Sequence, residues 1–336
     1  MKILIIHTAF IGDIVLSTPL IAKIYDTYKN CEITYLTNKN GASILANSPK
    51  ISNVMIYDKR GYDKGLKGFF KIIKKIKNEK FDIAFILHRY LRSTLIGFLS
   101  GIPKRIGYNL ASLNFLFTEK IPYDKNKHEV EKLLSFVSEN KKNNYNIEIY
   151  PSKNDEKEGN ILLGDIKNKK FVVIAPGTKW ITKQWPINYF NYIIEKLNKR
   201  KDTIIGIIGG SDEKNLNIEY GRNIIDLRGK TTLLELAAVI KKSDILLSND
   251  SSPIHIASAF PQTRIHAIFG PTVKEFGFFP WSKNSKVYEI NNLPCRPCGI
   301  HGGNICKTGH FRCMLDIKPQ IILENIEREL DGKNKN

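Results

Sequence analysis

The sequence lacks any apolar run near the roughly 20 residues that a helix needs to cross a bilayer. Its apolar start, Met1 to Ile6, is followed by His7 and Asp13 and has no small-residue cleavage site. This segment therefore predicts a strand leading into a helix, and not a signal peptide. We expect a cytoplasmic protein whose contact with a membrane, if any, is peripheral.

The signatures of several binding classes are also missing. Neither half of the chain contains G-x-G-x-x-G or the Walker lysine loop, which weakens a dehydrogenase or ATPase interpretation considerably. No RNP, zinc-finger or helix-turn-helix pattern occurs, so a basic nucleic-acid-binding protein is supported by its charge alone.

Basic residues exceed acidic ones by a wide margin. The chain has 52 Lys and Arg against 33 Asp and Glu, which gives a formal net charge of +19. Such an excess implies an anionic partner, which could be nucleic acid, a phosphorylated substrate or a membrane surface. A compositional bias of the source genome would explain the same excess.

Strand-like and helix-like segments alternate along the first part of the chain. Helical stretches such as Ile14 to Lys29 and Leu66 to Lys77 separate short apolar, β-branched runs. These runs are Lys2 to His7, Glu32 to Thr37, Asn53 to Asp58 and Phe81 to Leu87. The alternation predicts an α/β fold with a parallel sheet and helices on both faces.

The alternation resumes after a polar stretch from Lys141 to Lys170. The predicted strands are Phe171 to Ala175, Thr203 to Ile208, Ile224 to Leu227, Asp244 to Leu247 and Ile265 to Phe269. Helices are predicted to begin near Pro186, Leu216, Thr232 and Pro253. We predict domains at 1–165 and 166–317, then an amphipathic helix and a disordered tail at 318–336. Two doubly wound domains would face a central cleft at the carboxyl ends of their strands.

The segment from Ser248 to His255 is the first candidate for a functional site. It lies between a predicted strand and a predicted helix, with Pro253 suited to the first helical turn and Asp250 to Ser252 offering capping side chains. Such a helix start suits a phosphate, and His255 would lie one turn further. An ordinary capped helix with a satisfied histidine explains the same pattern.

Three other loops follow predicted strands. Gly12 allows a tight turn, and Asp13 could cap its own helix or accept a proton from a hydroxyl. Thr178 and Lys183 carry a hydroxyl and an ammonium that suit the oxygens of a diphosphate. After Ile208, the acids Asp212 and Glu213 could bind ribose hydroxyls or merely cap a turn, and the loop from Arg228 to Thr232, with Thr231, could contact a nucleoside.

Together these segments resemble the heptosyltransferases of lipopolysaccharide core assembly, glycosyltransferase family nine. The matching residues are Ile11-Gly12-Asp13 with Ser17-Thr18-Pro19, Pro176-Gly177 with Thr182-Lys183-Gln184-Trp185-Pro186, Gly209-Gly210, and Asn249-Asp250-Ser251 with Pro253 and His255. They occur in family order over nearly the whole chain. The resemblance implies the GT-B architecture, two facing Rossmann-like domains with a C-terminal helix that crosses back, and no metal or other cofactor.

The resemblance also implies transfer of heptose from an ADP-linked donor to the lipid A–Kdo inner core, with inversion at the anomeric carbon. Asp13 would be the catalytic base, and Lys183 would offset charge on the departing ADP. The other implied donor contacts are Thr178, Asp212 or Glu213, Asp250, and the turn with Ser251, Ser252 and His255. Ser252 stands where the family usually has glycine, which can limit how closely the backbone approaches phosphate.

Four of the five cysteines cluster near the C-terminal end of the second domain. They are Cys295, Cys298, Cys306 and Cys313, with His301 and His310 among them. Their spacing could form a structural zinc or cluster site, or the loop could hold reduced, packed thiols. Similar cysteines occur in relatives resembling the second heptosyltransferase of the pathway, which favours that branch.

A predicted basic helix offers a possible acceptor-side surface. The lysines Lys64, Lys67, Lys71, Lys74 and Lys75 alternate with apolar residues and could form an ordinary solvated face. In an enzyme that acts on an anionic glycolipid, the same face could bind lipid phosphates or the anionic inner leaflet of the membrane. Gly12, Arg89 and Arg92, with Lys104 and Arg105, are further acceptor-side candidates.

Overall fold

A computed structural model describes residues 1–59, 61–138 and 144–332 and divides the chain into two compact units. The first unit is Met1–Tyr150 and the second is Pro151–Asn336. The division lies earlier than the boundary predicted at 165. Within the polar stretch expected to separate the domains, a helix at Lys153–Leu163 forms and packs on the second unit.

The first unit contains a parallel six-stranded sheet. Its strands are β1 (Lys2–Ile6), β2 (Glu32–Thr37), β3 (Asn53–Ile56), β4 (Ile83–Ile86), β5 (Lys104–Tyr108) and β6 (Glu119–Ile121). Their order is β3-β2-β1-β4-β5-β6. Because the chain proceeds outwards in opposite directions from β1 and β4, a topological switch point lies between these two central strands. Both are buried on both faces, as their uninterrupted apolar sequences indicate.

Helices cover both faces of this sheet. They are α1 (Ile11–Leu16), α2 (Thr18–Thr27), α3 (Lys39–Leu45), α4 (Gly65–Glu79), α5 (Leu91–Leu99) and α6 (Glu129–Leu134). The single helix predicted from Ile14 to Lys29 is wrong, because the chain breaks at Ser17. Pro19 lies in the first turn of α2 and has no N–H with which to continue the hydrogen bonds of α1, so a new helix starts there. The Ser17 hydroxyl donates back to the Ile14 carbonyl oxygen at 2.7 Å.

The second unit repeats this arrangement. Its strands are β7 (Lys170–Ala175), β8 (Thr203–Ile207), β9 (Ile224–Asp226), β10 (Ile245–Asn249), β11 (Arg264–Ile268) and β12 (Ser285–Tyr288). The sheet order β12-β11-β10-β7-β8-β9 is the same as in the first unit when read from the opposite edge. The prediction of two doubly wound parallel sheets is therefore confirmed, and the second switch point lies between β7 and β10.

The helices of the second unit are α7 (Lys153–Leu163), α8 (Ile187–Asn198), α9 (Leu233–Lys241), α10 (Ser252–Ala257), α11 (Arg312–Leu315) and α12 (Pro319–Leu330). A helix beginning near Leu216 was predicted wrongly, since Ser211–Asn215 form a short 3-10 turn and Leu216 is extended. Helix α12 packs on α8 and belongs to the second unit. The tail at 333–336 lies outside the described residues.

None of the helices in the described ranges combines the length and apolar character needed to cross a bilayer.

Candidate active site

Lys183 and Asp250 meet at the switch point of the second sheet. Lys183 lies in the loop after β7, and Asp250 directly follows β10, the neighbouring strand. Their Nζ and Oδ2 atoms are 2.5 Å apart, and the side chains are only 12% and 7% exposed. Charge interactions are strong in such a position because little water screens them. The sequence predicted both residues for the donor site but not that they form an ion pair.

Hydrogen bonds from neighbouring residues fix the position of this ion pair. The Thr272 hydroxyl donates to Asp250 Oδ2 at 2.7 Å. Asn249 accepts from the backbone N–H of Trp185 at 3.0 Å and donates to the carbonyl oxygen of Pro176 at 2.8 Å. Because Asn249 is fully buried, it ties the loop after β7 to the end of β10. Sequence reasoning assigned no role to Thr272 and quoted Asn249 only as part of a motif.

A second set of bonds brings His301 towards the same pair. The Thr182 hydroxyl donates to the Gly303 carbonyl oxygen at 2.8 Å and accepts from the Gly303 N–H at 2.7 Å. Burial lowers the pKa of His301, and the positive charge of Lys183 lowers it further. The sequence indicates His301 only as a neighbour of the cysteines, because no motif shows that its loop is bound to Thr182.

Glu213 lies against the bare backbone of two glycines. A Cβ atom at either Gly177 or Gly209 would overlap the Glu213 carboxyl group, so only glycine leaves room for it. The N–H of Gly210 donates to Glu213 Oε2 at 3.3 Å, while burial raises the pKa of Glu213. Asp212 is exposed. Of the two candidate acids, Glu213 is therefore the one turned inwards.

Arg228 fixes the turn that carries Glu213. Its guanidinium makes two bonds to the Asp226 carboxylate, at 2.9 and 2.8 Å, and is almost fully buried. Its Nη1 donates to the carbonyl oxygens of Glu213 and Leu216 at 3.0 and 2.7 Å. These contacts explain why a turn replaces the helix predicted there, and they give Arg228 a positioning role that the sequence did not indicate.

We expect Gly177→Ala to displace the Glu213 carboxyl group and to cost about 1 kcal/mol of folding free energy, the low end for added volume, because the overlapped atoms are the flexible end of a side chain that can swing aside. Gly159→Ala is a matched control, since its Cβ would lie 3.6 Å from Ala238 Cβ in ordinary contact and alanine favours the interior of α7. Thermal melts of both variants check this. Equal melting temperatures for the two variants would contradict the close contact between Gly177 and Glu213.

The remaining donor-site candidates lie near the same strand ends. Thr178, Thr231, Ser251 and Ser252 are half-buried, and His255 is buried in α10. Pro253 occupies the first turn of α10 as predicted, but the predicted capping by side chains is wrong. Asp250 bonds to Lys183 and Thr272 instead, and the Ser251 hydroxyl lies 3.2 Å from that of Ser248.

In the first unit, Asp13 lies in the first turn of α1, just beyond the end of β1. Its Oδ2 atom accepts the backbone N–H of Phe10 at 3.3 Å, and both Asp13 and Gly12 are half-buried. The bond to Phe10 matches the capping role considered from the sequence. A carboxylate oxygen has further lone pairs, so this contact leaves proton acceptance chemically possible.

A buried hydrogen-bonded chain supports the segment that carries Asp13. His7 Nδ1 lies 2.9 Å from the Tyr35 hydroxyl, which lies 2.7 Å from the Ser17 hydroxyl. Since Ser17 gives its proton to the Ile14 carbonyl oxygen, the Tyr35 hydroxyl donates to Ser17 and His7 donates to Tyr35. These long-range contacts connect β1, β2 and α1, and no short sequence pattern indicates them.

His88, which closely follows β4, joins His7 at the first switch point. The two ring centroids are 4.7 Å apart. Lys59 Nζ donates to the carbonyl oxygen and the hydroxyl of Thr8 at 3.3 and 3.1 Å. The first switch point therefore combines two imidazoles and an ammonium with the segment carrying Asp13.

Because of these two imidazoles, we predict that the free energy of unfolding decreases as the pH falls from about 6.5 to about 4. Burial, aided by Lys59, lowers the pKa of His88 to about 4, and burial also lowers the pKa of His7. In the unfolded chain both titrate near 6.5, so the unfolded state binds more protons in this window. As the pH is lowered through this window, the melting temperature should decrease more steeply for the wild type than for His88→Gln. Parallel slopes would contradict this.

Arg89 and Arg92, predicted on the acceptor side, both lie near aromatic rings of the first unit. The Arg89 guanidinium lies 4.1 Å from the centroid of Tyr123. Arg92 donates to the Tyr57 hydroxyl at 3.0 Å. Arg89 is exposed and Arg92 is half-buried.

The cysteine-rich loop contains free thiols in the structure. Cys295 Sγ lies 3.7 Å from His310 Nε2. Cys313 is buried in the hydrophobic core of the second unit, and burial raises its pKa to about 11. Within the described ranges, no group of three or more His, Cys, Asp or Glu side chains is arranged to hold a metal ion.

The chain is similar to known heptosyltransferases over nearly its whole length. Lipooligosaccharide heptosyltransferase 2 of Campylobacter jejuni subsp. jejuni serotype O:6 is 26% identical over 342 residues, which cover 98% of this chain and 99% of that protein. The structure of E. coli ADP-heptose LPS heptosyltransferase II matches with a TM-score of 0.81 at 19% identity and covers 99% of both chains.

A further structure, E. coli heptosyltransferase WaaC with ADP-2-deoxy-2-fluoro heptose, matches with a TM-score of 0.73 at 15% identity. It covers 98% of this chain and all of that one. At these identities, the structural matches show a common fold, the GT-B fold expected from the resemblance.

The family model for glycosyltransferase family 9 (heptosyltransferase) matches residues 69–303. This range includes most of the second unit and the later strands of the first. The resemblance in sequence motifs is therefore confirmed: the chain belongs to glycosyltransferase family 9, the heptosyltransferases, and is a glycosyltransferase.

Proposed function

We propose that this protein transfers a heptose from ADP-heptose to the inner core of lipopolysaccharide, with inversion at the anomeric carbon. The observation that carries the proposal is the buried ion pair of Lys183 and Asp250 at the second switch point. Doubly wound sheets bind nucleotides at such points. The names of the similar proteins, which include ADP-heptose and lipopolysaccharide, support the choice of donor and acceptor.

The ion pair suits a negatively charged leaving group. Departure of ADP from the sugar builds negative charge on the diphosphate, which a fixed ammonium stabilises without reorganisation. In the proposal, the diphosphate takes Lys183 as its partner, with Thr178 and the turn from Ser251 to His255 beside it. Asp250 then accepts hydrogen bonds from hydroxyl groups of the heptose, while Thr272 still holds its Oδ2 atom.

Glu213 is the acid that we assign to the ribose of the donor. Its carboxyl group lies at the ends of β7 and β8, where Gly177 and Gly209 leave the backbone bare. In dinucleotide-binding folds, a carboxylate accepts a hydrogen bond from a ribose hydroxyl. Asp212 remains at the exposed side of the turn, and Thr231 is a further candidate for contact with the nucleoside.

Asp13 is the proposed catalytic base. It would accept the proton of the acceptor hydroxyl as that oxygen attacks the anomeric carbon, and the bond to ADP would break on the opposite face. The hydrogen-bonded chain of His7, Tyr35 and Ser17 links the end of β1 to the end of α1, and Asp13 lies between these two points. Lys59, Arg89 and Arg92 supply positive charge in the same unit for an anionic acceptor.

The proposed acceptor is the lipid A–Kdo inner core, and the second heptosyltransferase branch is favoured by the names of the similar proteins. An acceptor with acyl chains is presented by a lipid surface. We therefore propose that the protein works in the cytoplasm with peripheral contact to the anionic inner leaflet, and that nucleic acid is not a partner.

Thermal shift and product release test this function. ADP-heptose should raise the melting temperature more than UDP-sugars do at the same concentration, because a ligand that binds only the folded state stabilises it more the tighter it binds. Mixing ADP-heptose with a truncated core acceptor should release ADP. A larger shift with a UDP-sugar would indicate a related glycosyltransferase with another donor. Salt-sensitive retention on DNA without any shift would contradict the proposal.

A further inference from the structure

The outer side of helix α4 exposes apolar residues as well as lysines. Residues on its inner side, such as Phe69 and Ile73, pack into the core of the first unit. On the outer side, Leu66 and Phe70 are 73% and 57% exposed. Since they are four positions apart, these two side chains lie next to each other on the helix surface.

Lysines surround these apolar side chains. Helix α4 carries five lysines and one acidic residue, namely Lys67, Lys71, Lys74, Lys75, Lys77 and Glu79. All five lysines are exposed. Lys71 lies 3.8 Å from Asp63, a long contact for an ion pair. The outer side of the helix therefore has a clear excess of positive charge.

Further apolar side chains are exposed on helix α5 and on the turn that follows β5. Helices α4 and α5 pack side by side, and the Ser100 hydroxyl lies 3.5 Å from the Ile73 carbonyl oxygen. Phe98 near the end of α5 is exposed, and Phe115 in the nearby turn is 70% exposed. The Arg105 guanidinium lies 5.5 Å from the centroid of Phe98 and adds positive charge. We use the name α4–α5 face for the exposed apolar side chains Leu66, Phe70, Phe98 and Phe115 together with the lysines of α4 and Arg105.

We propose that the α4–α5 face binds an anionic lipid bilayer, with Leu66 and Phe70 entering the boundary between headgroups and acyl chains and the lysines of α4 among the headgroups. Apolar side chains beside a lysine-rich surface are the pattern of interfacial helices. Each lysine near an anionic bilayer adds to the attraction, which salt weakens. This inference rests on the peripheral membrane contact proposed above and assigns that contact to a defined surface; the binding itself requires neither donor nor acceptor.

Nucleic acid would satisfy the charge of this face but not its apolar part. A phosphate backbone is bound through Lys and Arg, and nothing in it requires aliphatic side chains such as Leu66 to leave water. A bilayer can bind both the apolar side chains and the lysines, because it buries apolar surface and neutralises positive charge at the same time.

Vesicle sedimentation tests the proposal with the full chain and no sugar substrate. Vesicles of phosphatidylcholine with phosphatidylglycerol should bind the protein at least about tenfold more tightly than phosphatidylcholine alone, with weaker binding at high salt. Leu66→Ser with Phe70→Ser should reduce binding to the anionic vesicles by about tenfold or more. Lys67→Gln with Lys74→Gln should reduce it while also flattening the salt dependence.

Ile161→Ser is the matched control, because Ile161 is an exposed apolar residue on α7 of the second unit. It should leave vesicle binding unchanged. With an acceptor analogue that lacks acyl chains, the face variants should retain wild-type turnover, so a failure of the proposed glycosyl transfer is recognised separately. Unchanged vesicle binding in the Leu66 and Phe70 variant, or equal binding to neutral vesicles, would overturn the proposal. Loss of DNA retention on lysine replacement without loss of vesicle binding would also overturn it.

Discussion

Asp13→Asn is expected to lower kcat by about 10²–10⁴-fold, the usual contribution of a general base. Asparagine has nearly the same shape, and its carbonyl oxygen can still accept the Phe10 N–H, so the helix start is preserved. Only the ability to take up a proton is lost. Steady-state rates of ADP release should therefore fall, while the affinity for ADP-heptose and the melting temperature stay close to those of the wild type.

The same change at Asp82 is the control. Asp82 accepts the backbone N–H of Lys2 at 2.7 Å, at the amino end of the first sheet and far from its switch point. Asp82→Asn should keep full turnover. If Asp13 only caps α1, Asp13→Asn will behave like Asp82→Asn, and the catalytic assignment fails.

Lys183→Met should have two separable effects. Removing one member of a buried ion pair costs about 3–5 kcal/mol, because the other charge is left without its partner. Asp250 keeps its bond from Thr272 but loses its counterion. The variant should also lose most of its affinity for ADP, because the diphosphate loses a charged contact. Chemical denaturation and ADP titration measure the two effects.

The double variant Lys183→Met with Asp250→Asn separates stability from binding. Because the double variant removes both charges, its loss of folding free energy should be smaller than the sum of the losses in the two single variants. Binding of ADP should stay lost, since the ammonium is absent. Lys179→Met is the matched control, because Lys179 is an exposed lysine in the same loop. Additive stabilities, or recovery of ADP binding in the double variant, would show that the ion pair does not act as described.

The alternation of apolar strands and amphipathic helices was enough to predict two parallel sheets, but the outer strands β5, β6 and β12 were not predicted. Errors arose where contacts distant in sequence decide the local structure. Arg228 binds the carbonyl oxygens of Glu213 and Leu216 and so replaces the expected helix with a turn. The break between α1 and α2 has a local cause instead, because Pro19 cannot continue the hydrogen bonds of α1.

A local signal was overlooked in the polar stretch before β7. The Ser152 hydroxyl accepts the backbone N–H of Asp155, and the Asp155 carboxylate accepts the Ser152 N–H, which is a capping box. Only two residues of α7, Gly159 and Leu163, are buried, so its apolar pattern is too weak to indicate a helix. The capping pattern alone would have placed the start of α7.

For the candidate site, the sequence indicated single residues but not their partners. Lys183 and Asp250 are separated by 67 positions, and only the pairing of β7 with β10 brings them together. His88 and His301 carry no motif that distinguishes them from other histidines. Their positions depend on strand order and on the bond between Thr182 and Gly303, which a single sequence does not encode in any short pattern.

The packing of α12 on α8 has a consequence for folding during synthesis. Trp185, beside the ion pair, donates its indole N–H to the Ile317 carbonyl oxygen at 3.0 Å, and Ile322 and Ile326 complete the same core. The first unit has all its strands by residue 121 and can fold while the ribosome continues. The second unit cannot complete its core until α12 has left the exit tunnel. Its unfinished sheet is therefore exposed to aggregation for longer than the sheet of the first unit.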